Sequence, residues 1–289
     1  MTPSRRLGTQ SIERSARLLV CLSRRVPLGW KVADLADHCE LDKGTTRRIL
    51  GALTRYRLVQ YHASDKRYLP GPLLFELGLA RPEYSQFQRE AIACIEKLDV
   101  GIKIGRFLCI RSEYDFVCAG QVGSLSQGYS LHLGARRPLA TSVAGMAIIT
   151  AHPPAQARNL FVECLSKLPH RADKKTDAIK KMFSCSLQAG IAINQGYLSM
   201  GWSSYAAAVR DKNDVPFASI MITAVTEDFD ERRIISVRSA LLEAAEQLHV
   251  FCQKIELSST PSQEINASHY DLKGTELDEI GLTEVHGRT

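Results

Sequence analysis

The stretch VADLADHCELDKGTTRRILGAL, residues 32–53, decides the fold of the first quarter of the chain. Its inward positions fall into two helical sets, Val32, Leu35, Ala36 and Cys39 in the first and Thr46, Ile49, Leu50 and Leu53 in the second, with residues 40–43 between them. Two short helices joined by so short a turn form a helix-turn-helix, and here the second helix is the basic one. Asp42 stands where an N-cap belongs. Opposite the buried stripe lie Lys43, Gly44, Thr45, Arg47, Arg48, Ala52 and Arg55. A helix N-terminus offers backbone N–H groups and the positive end of its dipole, so hydroxyls and guanidiniums added there suit phosphate oxygens and guanine edges. Taken in isolation, Arg47 and Arg48 read more commonly as a solvated basic face.

Upstream, SIERSARLLVCL (11–22) places Ile12, Ala16, Leu19 and Leu22 at helical spacing, with Ser11 as the expected N-cap. Downstream, LVQYHASDKRYLPG (58–71) reads as two short strands, near 59–61 and 67–69, around a polar turn that carries Lys66 and Arg67. A hairpin directly after the basic helix makes the module a winged helix-turn-helix. Its turn is the right length of arm for phosphate or an adjacent minor groove, the alternative being an ordinary hairpin tip. The candidate DNA contacts are Lys43, Thr45, Thr46, Arg47, Arg48 and Arg55 on the helix and Lys66 and Arg67 on the wing.

Charge distribution points the same way. The chain has 289 residues and a net charge of +6, but residues 1–80 hold 14 Lys and Arg against 7 Asp and Glu, leaving 23 against 24 for the rest. A basic module on a near-neutral body is the electrostatic footprint of a nucleic-acid reader. With 45% hydrophobic residues the composition is that of a globular protein. The longest apolar runs, such as residues 144–151, fall far short of the roughly 20 needed to span a bilayer, and MTPSRRLGTQ lacks an apolar signal core, so a cytoplasmic protein is expected. Eight cysteines are scattered singly, with no CxxC pair and no short spacing to histidine, which predicts reduced, mostly buried thiols and no structural zinc.

After the wing, LLFELGLA is helical until Arg81 and Pro82 interrupt it, and a second helix is expected over 84–98 with Phe87, Ala91, Ile95 and Leu98 inward. Beyond Gly101 the pattern changes to short strands (102–112, 115–122, 129–134) mixed with helices near 142–151, 155–167 and 177–189. SSYAAAVRD (203–211) and PFASIMITAV (216–225) form a hairpin, and an amphipathic helix over 230–254 closes the domain. The fold class is α+β. The expected domains are 1–72, 73–100 as linker helices, 101–255, and a Ser-, Thr- and acid-rich tail, 256–289, too poor in large apolar residues to pack.

SIERSARLL, VADLADHCELDKGTTRRILGAL, YRLVQY and RYLPGPLLFELG, in that order and spacing, resemble the N-terminal module of the IclR family of bacterial transcriptional regulators. HLGARRPLATSVAGMAII (132–149), NQGYLSMGWSSYAAAVRD (194–211) and ASIMITAV (218–225) are similar to the family's C-terminal domain. The resemblance implies a GAF-like domain that binds a small effector, and it implies a pocket formed by Val143, Ala144, Met146, Asn194, Ser204, Met221 and Thr223. Many members have an acidic residue, a cysteine and two serines where this chain has Asn194, Ser204, Met221 and Thr223, and Met146 replaces a usual lysine. These changes imply a larger, less polar effector, a medium-sized or aromatic acid; the alternative is that both methionines only fill the core. Further implied are a double-stranded operator with inverted symmetry, a homodimer or dimer of dimers, and RNA polymerase as a further contact.

Nucleophile elbows, phosphate loops, paired metal ligands and HExxH spacing are absent from the sequence, and Ser124 and His132 stand without a base or orienting partner at readable spacing. The expectation is a ligand-responsive regulator of a catabolic operon, not an enzyme, with no cofactor. The rival is an enzyme or metabolite-binding protein whose winged helix makes protein contacts.

Overall fold

The computed structural model describes residues 9–25, 28–99, 101–123, 131–168, 176–196, 198 and 200–257. In the N-terminal module α1 (Gln10–Leu22) runs into a 3-10 turn (Ser23–Arg25), followed by α2 (Val32–His38), α3 (Lys43–Arg55) and the wing strands β1 (Val59–His62) and β2 (Arg67–Pro70). Leu18, Cys21, Leu22, Leu35, Leu50, Leu53 and Val59 form its core. The stripe expected on α1 is displaced. Leu18, Cys21 and Leu22 face inward while Ile12 is 69% exposed, because only the C-terminal half of the helix meets α2 and α3. Ser11 is not the cap either: the helix starts at Gln10, and the Ser11 carbonyl accepts from the Ser15 hydroxyl at 2.7 Å.

The wing is tied back to the module through Trp30, whose N–H and carbonyl exchange hydrogen bonds with Tyr68 at 3.0 and 2.8 Å. Its second strand leads to Gly71, where a Cβ would lie 2.2 Å from the Arg57 carbonyl oxygen. Only glycine lets the chain cross the end of α3 that closely. From there α4 (Pro72–Leu79) emerges with no buried residue.

The second domain is built on one antiparallel sheet, in the order β5-β4-β3-β8-β7-β6, from β3 (Gly105–Ser112), β4 (Asp115–Val122), β5 (Arg136–Pro138), β6 (Ala192–Gln195), β7 (Trp202–Arg210) and β8 (Pro216–Val225). Side chains alternate between its faces. Leu108, Tyr205, Ala207, Val209, Ile220 and Ile222 pack against α5 (Pro82–Glu96) and α9 (Glu231–Cys252). Phe107, Cys109, Ala192, Ala206 and Met221 pack against α6 (Val143–Thr150), α7 (Pro154–Ser166) and α8 (Thr176–Ala189). The sheet is thus buried on both sides, which is why β8 is apolar almost throughout instead of alternating with polar residues.

Three expectations are corrected. Leu131 to Gly134 form no strand; the edge strand is three residues long and lies at Arg136–Pro138, paired with Asp115 to Val117. Strand β6, hidden in a mixed polar segment, pairs with β7. Of the helices grouped as a linker, α5 belongs to the second core through Phe87, Ala91, Cys94 and Ile95, so α4 alone stands between the domains. Ser124, the start of the expected strand at 129–130 and the tail from 258 onward lie outside the described residues.

Seven cysteines are buried and Cys185 is half-buried, all as free thiols. Cys109 and Cys118 are cross-strand partners on the consecutive strands β3 and β4. No helix among the described residues is long and apolar enough to cross a membrane.

Candidate DNA interface and effector site

Asp42 caps α3 by accepting from the Thr45 N–H at 2.7 Å, and the Thr45 side-chain and backbone hydrogen bonds hold its carboxyl below the usual range. Its carbonyl takes the Thr46 N–H at 3.0 Å. The tip of the helix is therefore served by an anion of its own, contrary to the expectation of N–H groups open to phosphate. What the helix offers instead is its flank. Lys43, Arg47, Arg48 and Arg55 are exposed, Thr45 is half-buried, and Gly44 and Ala52 leave room between them. Thr46 is corrected: it is fully buried, with its hydroxyl on the Asp42 carbonyl at 3.0 Å, and it cannot touch DNA.

In the wing, Lys66 is exposed at the turn with φ 58°. Arg67 points elsewhere. Its guanidinium donates to the Leu28 and Gly29 carbonyls at 3.0 and 3.2 Å and pairs with Asp65 at 3.5 Å, bracing the wing against the segment before α2. Helix and wing adjoin: the Tyr68 phenol is raised by burial, with Arg47 nearby opposing the shift. Three other arginines of the module are ion-paired, Arg57 with Glu76, Arg25 with Asp34 and Arg24 with Asp115. Lys43, Arg47, Arg48, Arg55 and Lys66 make no ion pair among the described residues.

The effector candidates are brought together by sheet register. Asn194 is opposite Ser204, and Ser204 opposite Thr223; one step along the same face Ala192, Ala206 and Met221 form the next row. Over these rows lies α6, whose Val143, Ala144 and Met146 share an apolar cluster with Met221. All seven are at most 4% exposed, so a ligand that reaches them enters a closed site. The polar members already have partners. Ser204 Oγ and Thr223 Oγ1 are 2.8 Å apart, Thr223 Oγ1 donates to the Ser203 carbonyl at 3.1 Å, and Asn194 Oδ1 accepts from the Leu198 N–H at 3.1 Å. Helix α6 is capped by Ser142, which accepts from Gly145 N–H at 3.0 Å, and it sits so close to the preceding 3-10 turn that a Cβ at Gly145 would meet Leu139 O at 2.2 Å.

Sequence reasoning missed the junction between the two domains. Asp115, at the start of β4, accepts from Arg24 Nη2 at 2.5 Å and pairs with Arg136 of β5 at 3.7 Å. Desolvation lowers the Arg136 guanidinium, and Asp115 opposes that shift. The neighbouring Tyr114 carbonyl accepts from Leu139 N–H at 2.9 Å, which joins this ion cluster to the segment leading into α6. The doubled arginines at 24–25 and 136–137 were the available signal, but nothing in the sequence pairs one doublet with the other.

The profile of the IclR helix-turn-helix domain matches residues 11–63, and that of the bacterial transcriptional regulator IclR C-terminal domain matches residues 108–250. The chain belongs to the IclR family. It is an IclR-family transcriptional regulator with a helix-turn-helix module and a C-terminal effector domain; members of this family are regulators and not enzymes. A sequence comparison with curated proteins finds no match. Among solved structures, an IclR family transcriptional regulator from Brucella abortus superposes with TM-score 0.67 at 16% identity, covering 83% of this chain and 92% of its own. An IclR transcriptional regulator from Alicyclobacillus acidocaldarius gives 0.64 at 20% identity over 84% and 98%. An IclR homolog from Microbacterium hydrocarbonoxydans, complexed with 4-hydroxybenzoate, gives 0.62 at 17% identity over 85% and 100%. At these identities the likeness establishes the shared fold.

Proposed function

We propose that this IclR-family protein controls a catabolic operon by binding a palindromic double-stranded operator through α3 and the wing, and that a small organic acid bound in the second domain modulates that binding. The observation that carries the reading is the set of unpaired cations, Lys43, Arg47, Arg48, Arg55 and Lys66, on one helix flank and the wing turn beside it. One recognition helix covers only a few base pairs, so useful specificity calls for two copies on half-sites about one helical turn, or a multiple of it, apart. Helix α4 supports a homodimer or a dimer of dimers: Phe75, Leu77 and Leu79 are 72, 56 and 59% exposed on eight residues that bury nothing within the chain. Such apolar surface is what a second copy covers. The setting is the cytoplasm, with RNA polymerase as the machinery the regulator acts on.

The acid effector is supported by the Asn194, Ser204 and Thr223 row beneath an apolar α6 wall, and by the bound 4-hydroxybenzoate of the Microbacterium homolog. Coupling runs from α6 through Leu139 to Tyr114 and Asp115, and through Asp115 to Arg24 in the 3-10 turn after α1. An effector that shifts α6 biases this contact, and a typical coupling of about 1–3 kcal/mol changes operator affinity roughly 5- to 150-fold. The test is to select duplexes retained by the protein from a random pool and to measure its mass in solution. Inverted repeats bound by a dimer or larger, with a steep salt dependence, are expected. A monomer that protects one asymmetric site, or no retained DNA at all, defeats the reading.

A further inference from the structure

Two of the cysteines meet inside the DNA-binding module. Cys21 lies in the last turn of α1, Cys39 follows the last residue of α2, and both belong to the core against which α3 packs. Their side chains are hydrogen-bonded to each other. Cys21 keeps 7% of its surface open and Cys39 2%. Cations surround the pair. Arg17, one turn before Cys21 on α1, donates to the Cys39 carbonyl at 3.1 Å, and Arg24, in the 3-10 turn after Cys21, reaches Asp115 beside Arg136. The hydrogen bond with Cys39 holds the Cys21 thiol below its usual range; burial opposes the shift, and Arg24, Arg17 and Arg136 add to it. The thiolate is the form that reacts with oxidants, and cationic surroundings with a second thiol in reach are what a redox-sensing cysteine has.

A second thiol pair supplies the contrast. Cys109 and Cys118 also bond to each other across β3 and β4, but both are fully enclosed in the core of the second domain and no guanidinium acts on either. Position separates the pairs further, because Cys39 stands at the joint of the helix-turn-helix. After it Glu40 turns the chain with φ 53°, the Leu41 N–H donates back to the Ala36 carbonyl at 2.9 Å, and Asp42 caps α3. A disulfide holds its sulfurs about 2.0 Å apart, closer than two thiols can approach, so closing one must move an end. Cys21 is fixed within a continuous helix, whereas Cys39 sits at a helix end, and the displacement falls on the turn that aims α3.

We infer that Cys21 and Cys39 are a dithiol that a peroxide closes to a disulfide, and that the closure weakens operator binding by displacing the turn before α3. The Cys21 thiolate attacks one peroxide oxygen, the O–O bond breaks, and the departing hydroxide takes up a proton and leaves as water. The Cys39 sulfur then attacks the sulfenic acid on Cys21. An S–S bond forms, the S–O bond breaks, and a second water carries off the Cys39 proton. Two thiols have given two electrons to one peroxide. The control of DNA affinity rests on the DNA-binding reading above; the formation of the disulfide does not.

The experiment treats the reduced full-length protein with hydrogen peroxide, maps the disulfide-linked peptides by mass spectrometry, and measures affinity for the duplexes retained from the random pool. A Cys21–Cys39 link is expected before any Cys109–Cys118 link, with affinity falling about ten-fold and recovering on addition of dithiothreitol. Cys39→Ala should keep the affinity of the reduced parent, form no such link, and leave a sulfenic acid on Cys21 that dimedone traps. Absence of the link in the parent protein, or prior oxidation of Cys109 and Cys118, overturns the assignment of the dithiol, and neither result depends on the folding of a variant. A complete link with unchanged affinity overturns the control of DNA binding. If the reduced protein retains no duplex, the DNA-binding reading fails and takes that control with it, while the peptide map still decides the dithiol.

Discussion

The two candidate working surfaces of this molecule are built on opposite plans. On α3 the side chains are exposed, cationic and unpaired, and each acts through its own position on one helix. At the candidate effector site every group is buried, the hydroxyls are bonded to each other, and three strands and a helix must come together before such a site exists. The first surface therefore tolerates change one residue at a time with little effect on the fold. The second cannot be altered without disturbing the core that contains it.

Substitutions at the two surfaces put numbers on that contrast. Gly145→Ala should have the largest effect, because its Cβ would sit 2.2 Å from a backbone oxygen that cannot move aside. A loss of about 3 kcal/mol in a denaturant titration is expected, at the top of the range for overpacking. A loss below about 1 kcal/mol would mean that α6 is free to shift, and that the effector site is less rigid than its register suggests.

Asp115→Ala tests the link between the surfaces. Breaking a fully buried pair costs about 3–5 kcal/mol, but Arg24 is 37% exposed here and Arg136 alone is left poorly solvated, so about 2 kcal/mol of stability is expected. Arg24→Ala should cost less than Asp115→Ala. If effector modulation of DNA affinity survives either change intact, coupling does not pass through this junction.

Arg48→Ala should weaken operator binding by about 1.5 kcal/mol and relax preference at one base pair while leaving fold stability within about 0.5 kcal/mol. Uniform weakening on all sequences would make it a phosphate contact. Lys66→Ala and Arg67→Ala separate within the wing: the first should flatten the salt dependence of DNA binding by about 0.9 in log–log slope, and the second should act mainly by loosening the wing from Leu28 and Gly29. Equal slopes for the two variants would refute that division.

The smallest effect is expected from pH. Burial lowers the His152 pKa, and the ring contacts the Ile148 carbonyl at 2.9 Å. The folded value is below the unfolded one, so the stability tied to the neutral ring is present above the unfolded pKa of about 6.5 and is lost as pH falls through the folded value. His38 in the DNA module shifts in the same direction, also by burial. His152→Gln should reduce the acid sensitivity of unfolding without removing it; an unchanged profile would show that His152 contributes none of it.

The same contrast explains what was legible in the sequence. Helix α3, its cap at Asp42 and the wing follow from periodicity over thirty residues, because a local pattern determines them and their functional side chains point away from the core. Thr46 shows where that reasoning conflicts with itself, since a residue on the buried stripe cannot also be a DNA contact. The effector row could be named only through family resemblance: residues 194, 204 and 223 become neighbours by strand pairing, for which no local signal exists. Strand β6 was missed because its buried face holds Ala192 and the polar Asn194 while the apolar Ile193 lies on the more open face, so the sequence shows no apolar alternation although burial alternates. The stripe on α1 failed for a related reason, as helical period offers two adjacent stripes and only tertiary packing chooses between them.

The carboxylate of Asp42 at the tip of α3 bears on how the protein searches a chromosome. A helix end that welcomed phosphate would grip any duplex end-on, and the protein would linger wherever it landed. If α3 enters the groove as proposed, an anion fixed at that tip would repel approach along the backbone at the leading point and favour approach along the cationic flank. Residence on random DNA should be brief compared with residence on target, and exchange of Asp42 for asparagine, which keeps the cap and removes the charge, should slow dissociation from random duplexes more than from the operator.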